Sequence, residues 1–299
     1  MDDKELLERL QHPRKKIHMV LDTDAYNEVD DQFALAYAVN SSNALHIEAV
    51  YAAPFFNHRS CSPEDGMQKS YEEILRVLSM FHIPSQDFVF HGSRAYLHDL
   101  NTPQESDAAR DLVKRALSFQ GDRLYVVGIG AITNIASAIL MEPKIINKIV
   151  VVWLGGNAFH WKDTNEFNLK QDIHAARIIF DSGVPLVHIP CQGVASHLIT
   201  TIPELEYYLK GQDGIGAYLT DIVKGYCDQS FGWSKVIWDI AAIAWLVNPE
   251  WVPTRIVHSP IVTEQLTWSF DDSRHFIKSA IHVDRDQIFA DFFFKLRKN

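Results

Sequence analysis

The sequence IHMVLDTDAYNEVDD at residues 17–31 decides the predicted architecture of this chain. It opens with a short apolar run, too short for most helices and typical of a buried strand in a parallel sheet. Asp22 and Asp24 follow that run, and Asp30 and Asp31 stand together a few residues later, at the start of a helical pattern. The four carboxylates are therefore predicted to cluster beyond the carboxyl end of the first strand, where open α/β sheets bind ligands.

Four like charges held this close repel one another unless a positive charge lies among them. A hard divalent cation bound through oxygen atoms is the simplest partner, and Ca²⁺ or Mg²⁺ would fit. The alternative is an acidic, solvated loop in which the dipole of the following helix stabilises the negative charge of Asp30. That alternative accounts less well for Asp22 and Asp24, which come straight after the strand. A metal site is therefore the favoured interpretation.

The composition is that of a well-packed soluble protein, with 299 residues, 47% apolar and 22% charged. A formal net charge of −10 argues against nucleic acid and anionic membranes as partners, because both require a basic surface. The cysteines Cys61, Cys191 and Cys227 lack CxxC spacing, which favours a reducing compartment. Residues 1–16 are charged and lack the apolar stretch of a signal peptide, so we expect a cytoplasmic protein.

Over the first two thirds of the chain, short apolar runs typical of strands alternate with segments whose apolar residues have the spacing of a helix. Beyond the opening strand, we predict strands at residues 46–53, 87–90, 123–128, 148–154 and 186–189, and helices at 32–39, 67–81, 105–119, 131–140 and 172–182. Strands that alternate with helices predict an open, mostly parallel α/β sheet of the Rossmann type, with helices on both faces.

The last third of the chain has a different pattern. Residues 203–246 are mainly helical, and 255–258, 265–269 and 275–283 read as short antiparallel strands. Asp284 is a good N-cap for a closing helix at 285–296. Because no linker, repeat or low-complexity tract interrupts the sequence, we expect residues 1–299 to form one domain with a small antiparallel addition.

Two further loops are unusually polar for their surroundings. The first is GIGAITNI at residues 128–135, whose glycines permit close approach to a ligand but equally suit an ordinary turn. The second joins GGN at 155–157 to NEFN at 165–168, where amide and carboxylate groups suit a ligand rich in hydroxyls or, alternatively, form Asx turns. Both loops follow predicted strands, as the acidic loop does.

Two more positions carry polar groups of interest. His91 lies in a loop, where a lone histidine is more often structural than catalytic. Asp239 heads a strongly apolar helix, either as an N-cap or as a further carboxylate that reaches the metal, and Trp238 beside it offers a flat face for stacking. The sequence contains no G-x-S-x-G, P-loop or G-x-G-x-x-G motif.

Taken together, these motifs resemble the Ca²⁺-dependent nucleoside hydrolases of the inosine–uridine-preferring type. That family opens with a strand and D-x-D-P-G-x-D-D, followed by T-N-[IL]-A, G-G-N, E-F-N and an acidic residue that heads an apolar helix. The corresponding motifs occur here in the same order, beginning with a D-x-D-x₅-D-D loop; they are Asp22-Thr23-Asp24…Asp30-Asp31, Thr133-Asn134-Ile135-Ala136, Gly155-Gly156-Asn157, Glu166-Phe167-Asn168 and Asp239.

The resemblance implies that the chain hydrolyses the N-glycosidic bond of ribonucleosides to free base and ribose. Asp24 would be both a metal ligand and the general base for a Ca²⁺-bound water. Asp31 and Asp239 would bind Ca²⁺ through their carboxylates and Thr133 through its backbone carbonyl, whereas Asp22 would support the cluster. Mg²⁺ is the less favoured ion.

The resemblance also assigns residues to the substrate. Asp30 and Asn168 would hold the ribose 2′- and 3′-hydroxyls, and Asn157 and Glu166 would lie near the 5′-hydroxyl. Nearby carboxylates would stabilise the oxocarbenium-like sugar of the transition state. Family members are typically homodimers or homotetramers, so an oligomer is expected here.

The chain departs from the family pattern at two places. Residues 25–29 are two residues longer than the family's spacer, so that Asn27 or Glu28 is a candidate for joining the site. Trp238 replaces the histidine that many pyrimidine-active members carry before the late aspartate. Purine-preferring members stack the base on a tryptophan there, which favours purine or modified-purine nucleosides.

Other candidates remain open at this stage. His91, His160 and Tyr226 are candidates for the base pocket. The opening Asp22-Thr23-Asp24 also resembles that of haloacid-dehalogenase-type Mg²⁺ phosphohydrolases, although the later motifs of that class are not evident. A third possibility is a non-catalytic nucleoside- or ribose-binding protein of the same fold.

Overall fold

The structure, a computed structural model, describes residues 1–13, 15–209, 214–227 and 231–297. Its strands are β1 (Ile17–Thr23), β2 (Leu45–Ala52), β3 (Val89–Phe90), β4 (Leu124–Gly128), β5 (Ile149–Leu154), β6 (Leu186–Ile189), β7 (Ile199–Thr200), β8 (Lys235–Val236), β9 (Thr254–His258), β10 (Ile261–Val262), β11 (Trp268–Ser269) and β12 (Phe276–Ala280). Eight of them form one sheet in the order β3-β2-β1-β4-β5-β6-β12-β9. All neighbours in this sheet are parallel except β9, which is antiparallel to β12.

Helices connect these strands and cover both faces of the sheet. They are α1 (Asp3–Arg9), α2 (Asp30–Asn40), α3 (Pro63–Met80), α4 (Asp107–Ser118), α5 (Thr133–Met141), α6 (Phe167–Gln171), α7 (Ile173–Asp181), α8 (Ile202–Leu209), α9 (Ile215–Tyr226), α10 (Ile240–Val247) and α11 (Arg285–Leu296). One apolar cluster lies under α2, α3 and α10, and a second lies under α4, α5 and α7. The predicted mostly parallel α/β sheet with helices on both faces is confirmed.

The centre of the sheet determines where a ligand can bind. Every residue of β5 is buried, because helices cover it on both sides, and this explains its continuous apolar run. The strand order reverses at β1, which pairs with β2 on one side and with β4 on the other. Open α/β sheets bind ligands in the crevice at such a reversal. Since Asp22 lies in register with Gly128, the acidic loop and the glycine loop leave the sheet side by side.

The predicted antiparallel strands near the C-terminus are confirmed by the pairs β9–β12 and β10–β11. Their place relative to the main sheet differs from the prediction. The segment predicted at 275–283 forms β12, which extends the main sheet parallel to β6 and pairs antiparallel with β9 on its other edge. The strand predicted at 265–269 shortens to β11, because Leu266 has a φ of 55°, outside the extended region. β7 and β8 form a two-stranded antiparallel sheet that the sequence did not predict.

The remaining boundaries agree closely with the prediction. The Asp284 side chain accepts a hydrogen bond from the Gln287 N–H and caps α11, as expected. α2 begins at Asp30, two residues before the predicted start, so the paired aspartates lie in its first turn. Within the described residues, no helix combines the length and apolar character needed to cross a membrane.

Candidate active site

A cavity of about 240 Å³ opens at the carboxyl ends of β1, β4, β5 and β6. It is lined by Asp24, Asn27, Glu28, Asp30, Asp31, Ile129, Leu154, Asn157, Asn165, Glu166, Phe167, Asn168, Cys191, Gln192, Trp238 and Asp239. The structure thus brings most of the predicted site residues to one place. Asp22, Thr133 and His91 do not line this cavity.

Buried carboxylates form the floor of the cavity. One carboxylate oxygen from each of Asp30, Asp31 and Asp239 lies within 4.8 Å of the other two. Asp24 adjoins them, and neither of its buried oxygens has a hydrogen-bond partner among the described residues. Asp239 occupies the N-cap position of α10, but its side chain makes no capping hydrogen bond there. Its oxygens therefore remain available to the cluster, in contrast to the N-cap alternative.

The protein environment works against ionising these groups. Burial raises the pKa of Asp31 to about 8, and the Asp30 charge adds to the rise. Burial and the neighbouring aspartates also raise the pKa of Asp24 and of Asp239 well above the ordinary range. Buried polar atoms without partners are rare in folded proteins and call for a physical explanation. A hard divalent cation fits this donor set, because the available ligand atoms are carboxylate oxygens.

The charge cluster gives a testable dependence of stability on pH. In chelator-treated protein, the cluster aspartates have raised pKa values, about 6 for Asp30 and about 8 for Asp31 against an ordinary value of 3.8. An aspartate whose pKa is higher in the folded chain stabilises the fold when protonated, and that stability is lost as pH rises through the folded pKa. We expect the melting temperature to fall by about 5 °C or more between pH 5 and pH 8.

Thermal unfolding followed by circular dichroism measures this dependence. Millimolar Ca²⁺ is expected to flatten the curve, because a bound cation removes the repulsion that opposes ionisation. A melting temperature of the chelated protein that is constant or rises over this pH range would contradict the assignment of the carboxylates to one coupled cluster.

Asn134 holds the strand ends together behind the cavity. Its Nδ2 donates to Asp22 Oδ1 at 2.7 Å and to the Ala52 carbonyl at 3.2 Å, and its Oδ1 accepts from the Ser93 N–H at 2.7 Å. A Cβ at Gly92 would lie 1.9 Å from the Ala52 oxygen and 2.5 Å from Asn134 Nδ2, so only glycine fits. Asp22 therefore lies behind the cavity wall, away from the position that a phosphohydrolase nucleophile needs.

The glycine loop after β4 approaches the acidic cluster through its backbone. A Cβ at Gly130 would lie 2.9 Å from the Cγ of Asp24, so glycine is required for this contact. Ile129, next to it, lines the cavity. Thr133 instead lies in the first turn of α5 and donates its hydroxyl to Asp172 at 2.7 Å. Of the two residues, only Ile129 lines the cavity; its carbonyl accepts a hydrogen bond from Asn168 and has a second lone pair that could meet a cation.

The inserted residues of the acidic loop form a compact turn. The Asp24 carbonyl accepts hydrogen bonds from the N–H groups of Tyr26 at 2.6 Å and Asn27 at 2.8 Å. Asn57 then donates its Nδ2 to Asn27 Oδ1 at 2.6 Å and fixes the turn from outside. The extra length is absorbed in this way, and Asp24 and Asp30 still reach the same cluster.

A buried, positively charged lysine side chain lies at the edge of the loop between Asp24 and Asp30. Lys235, whose side chain is 8% exposed, forms an ion pair with Glu28. Burial alone would lower the pKa of Lys235, but Asp30 and Glu28 raise it to about 12, so this lysine stays charged. Arg59 donates to the Glu28 carbonyl at 3.0 Å and lies 4.2 Å from the centre of the Tyr26 ring.

The amide side chains opposite the acidic cluster make some of their hydrogen bonds within the protein. Asn157 donates its Nδ2 to the Asp163 carbonyl at 3.1 Å and accepts at Oδ1 from the Gln192 N–H at 3.2 Å. One Nδ2 hydrogen remains for a ligand. The Asn157 side chain therefore joins two loops at the cavity wall besides facing the cavity.

Glu166 and Asn168 come from the start of α6. Glu166 accepts the Gly156 N–H at 2.7 Å and backbone N–H groups of the first helical turn, which fixes its carboxylate. Asn168 donates its Nδ2 to the carbonyls of Ile129 at 3.1 Å and Leu154 at 3.0 Å. Its Oδ1 is thereby the atom of this amide that can accept a hydrogen bond from a ligand.

Comparison with known proteins identifies the arrangement. Residues 19–290 of the 299-residue chain match the family described as inosine-uridine preferring nucleoside hydrolase. The chain belongs to this nucleoside hydrolase family. Solved structures with the same fold include a purine-preferring ribonucleoside hydrolase from Gardnerella vaginalis, with a TM-score of 0.76, 20% identity and coverage of 94% of this chain and 98% of the other. A plant nucleoside hydrolase has a TM-score of 0.75 and 18% identity, with 95% and 99% covered.

Curated sequences of the nucleoside hydrolase family are also similar to this chain. The pyrimidine-specific ribonucleoside hydrolase RihB of Shigella flexneri serotype 5b is 28% identical over 160 residues, and RihB of Escherichia coli O1:K1 is 26% identical over 159 residues. Each alignment covers 51% of this chain and 50% of the relative. The chain thus spans about half the length of these curated relatives.

The aromatic residues of this nucleoside hydrolase family member lie in different places. Trp238 lines the cavity with a half-buried side chain, and its backbone N–H donates to Asp30 Oδ2 at 3.2 Å. His91 instead stacks on Tyr71, with ring centres 3.7 Å apart, away from the cavity. His160 and Tyr226 border other surface depressions. Among the described residues, no histidine lines the nucleoside hydrolase cavity.

Sequence reasoning missed several residues of the nucleoside hydrolase cavity. Cys191 and Gln192 follow β6, and Ile129 follows β4, so the rule that ligands bind at strand ends would have found them. Burial and the Glu166 charge raise the pKa of the Cys191 thiol, which stays protonated and hydrogen-bonds to Glu166. Lys235 lacked any signal in the sequence, because its partner Glu28 is distant along the chain.

Proposed function

We propose that this chain hydrolyses the N-glycosidic bond of ribonucleosides, giving free base and ribose. The observation that carries the proposal is the buried carboxylate of Asp24, whose two oxygens have no described partner, beside three further carboxylates on the floor of a cavity. Such an arrangement suits the binding of a divalent cation and the activation of water. Membership of the inosine-uridine preferring family supports it.

In this proposal, Asp24, Asp31 and Asp239 hold Ca²⁺, with the Ile129 carbonyl as the backbone ligand in preference to that of Thr133. The bound cation supplies Lewis-acid polarisation of water and of the sugar hydroxyls, and Mg²⁺ is less suitable because it demands a stricter geometry. Asp24 takes a proton from the attacking water. The water oxygen bonds to C1′ while the C1′–N bond breaks, and the departing base takes the electron pair. The base then receives a proton from solvent, and Asp24 gives its proton back to solvent, so the protons balance.

The sugar is held by residues on opposite walls of the cavity. Asp30, in the first turn of α2, is placed to accept a hydrogen bond from a ribose hydroxyl, and Asn168 Oδ1 can accept a second. The remaining Nδ2 hydrogen of Asn157 and the carboxylate of Glu166 are placed for the 5′-hydroxyl. These ionised and polar groups also stabilise the positive charge that develops on the sugar as the base departs.

We propose a purine preference on the basis of Trp238, one of two aromatic residues that line the cavity, the other being Phe167. Stacking of a base on an aromatic ring is worth about 1–3 kcal/mol, and the larger purine surface gains more from it. We expect Trp238→Ala to lower kcat/KM for inosine or adenosine about 10-fold to 100-fold and to affect uridine less.

Steady-state kinetics with purine and pyrimidine nucleosides measure this effect. Trp238→Phe should retain most of the activity, and Trp161→Ala, which changes a surface tryptophan that does not line the cavity, is the matched control. Unchanged kinetics of Trp238→Ala on the best substrate would contradict the stacking role.

The hydrolase proposal is tested by measuring release of free ribose from inosine, adenosine, guanosine, uridine and cytidine, with and without a chelator. Chelator-sensitive release would support it. Tight ribonucleoside binding without release, measured by calorimetry, would favour the non-catalytic binding protein. Failure to bind or cleave any of the five would overturn the proposal for common nucleosides.

We also propose a cytoplasmic role in nucleoside salvage, as a homodimer or homotetramer. The absence of CxxC spacing among the three cysteines supports the location. Size-exclusion chromatography with light scattering tests the assembly, and a monomer at micromolar concentration would contradict it.

A further inference from the structure

A second group of potential metal ligands lies at the other end of the sheet from the cavity. His18 begins β1 next to Ile17, and His46 and Glu48 lie near the start of β2. One ligand atom from each of the three residues lies within 4.8 Å of the others. Along β1, His18 precedes Asp22 by four residues, which places this group about 13 Å from Asp22.

The pairing of β1 with β2 brings these side chains together. His18 and His46 are direct partners across the two parallel strands, and their ring centres lie 5.0 Å apart. The register then skips Glu48, since Met19 pairs with Ile47 and Val20 with Ala49. An extra residue of this kind redirects a side chain, and such irregularities are common next to functional sites. Here it turns Glu48 toward the two histidines.

Contacts from α4 fix the carboxylate of Glu48. Arg115 lies 3.5 Å from Glu48 Oε2 and is itself held by Asp111. The other oxygen, Oε1, lies 2.6 Å from His18 Nδ1 and 3.6 Å from His46 Nε2. One carboxylate oxygen is thereby directed at both imidazoles, while the second is occupied by the guanidinium.

We propose that His18, His46 and Glu48 bind a late first-row divalent transition ion, of which Zn²⁺ is the best match. Two imidazole nitrogens and one carboxylate oxygen are ligands that Zn²⁺ accepts and Ca²⁺ does not favour. In a tetrahedral zinc site the ligand atoms lie about 3.3 Å apart. The separations of Glu48 Oε1 from His18 Nδ1 and from His46 Nε2, 2.6 Å and 3.6 Å, therefore need to change by less than about an ångström. Water takes the fourth position, because the side chains of His18 and His46 are 44% and 52% exposed.

Binding of the ion requires one hydrogen bond to break. His18 Nδ1 and Glu48 Oε1 contact each other at 2.6 Å, and both atoms must turn to the ion to act as ligands. A neutral His18 then carries its proton on Nε2, so that Nδ1 has a lone pair for the ion. The ion would clamp β1 to β2 at the end of the sheet remote from catalysis.

Isothermal titration calorimetry of the full chain with ZnCl₂, in excess CaCl₂, tests the proposal. We expect one equivalent of zinc to bind. His46→Gln and His18→Gln should each weaken binding by about tenfold or more. His98→Gln is the matched control, because His98 is a surface histidine beside a single carboxylate, Asp99, at 3.1 Å.

Equal zinc affinity in wild type, His46→Gln and His18→Gln would overturn the proposal, as would failure of the wild type to bind zinc at all. Circular dichroism checks that each variant is folded. Glu48→Gln provides a further variant, since it keeps the size of the side chain and removes its charge. Visible absorption of Co²⁺ in place of Zn²⁺ reports nitrogen ligands independently. None of these measurements depends on nucleoside hydrolysis.

Discussion

Replacing Asp24 with asparagine is expected to abolish ribose release, with a fall in kcat of about 1000-fold or more. Asparagine keeps the size of the side chain but can neither take a proton from water nor contribute a charge to the cation. The two carboxylate oxygens of Asp24 are buried at the cavity floor without a described partner, so both are available to a cation and a water. Ribose release from the best nucleoside measures the loss.

The same variant is expected to be more stable than the wild type in the presence of a chelator. Burial and the charges of Asp31 and Asp30 raise the pKa of Asp24, so ionised Asp24 opposes folding when no cation is bound. A neutral side chain removes that penalty. Loss of activity together with a higher melting temperature therefore separates a catalytic role from unfolding.

Asp87→Asn is the matched control for Asp24→Asn, because Asp87 is exposed and its φ of 55° suits asparagine. It should leave both activity and melting temperature unchanged. An Asp24→Asn enzyme that keeps more than about a tenth of wild-type kcat would contradict the general-base role.

Replacing Asp31 with asparagine is expected to raise the Ca²⁺ concentration needed for half-maximal activity by about 100-fold or more. Thr23 donates its hydroxyl to Asp31, and Asp239 hydrogen-bonds to it, so the carboxylate is held in place for a cation. Unlike Asp24→Asn, this variant should recover activity at high Ca²⁺. Ribose release measured over a Ca²⁺ titration reports the shift.

Asp30→Asn separates metal binding from sugar binding. Asp30 lies in the same cluster but accepts a hydrogen bond from the Trp238 N–H and interacts with the charge of Lys235. We expect its replacement to raise KM for the nucleoside and to leave the Ca²⁺ requirement nearly unchanged. If Asp30→Asn raises the Ca²⁺ requirement as much as Asp31→Asn does, Asp30 is a metal ligand, in contrast to the proposal.

The sequence was sufficient to predict the sheet and the main components of the site, for physical reasons. The apolar run of β5 and the alternation of strands with helices follow from burial, which leaves a periodic signal in the sequence. The aspartates at the end of β1 also had a clear signal, because charged residues directly after a buried strand are costly without a partner.

Contacts between distant segments were not predictable in this way. Neither the hydrogen bonds of Asn134 to Asp22 and Ser93 nor the ion pair of Lys235 with Glu28 has a local signature. The pairing of β12 with β6 depends on which sheet edge remains free, and this is a property of the whole fold. The sequence made the glycine loop a candidate for ligand binding or an ordinary turn, but it did not predict which residues of the loop line the cavity.

The loop between Asp24 and Asp30 is attached at both ends to fixed elements and is held in its middle by outside side chains. Asn57 and Arg59 supply that support, and neither belongs to the acidic cluster. Insertions and deletions in such a loop leave the positions of its two ends unchanged. A change in the length of this loop can therefore alter the entrance to the cavity while Asp24 and Asp30 keep their places in the acidic cluster.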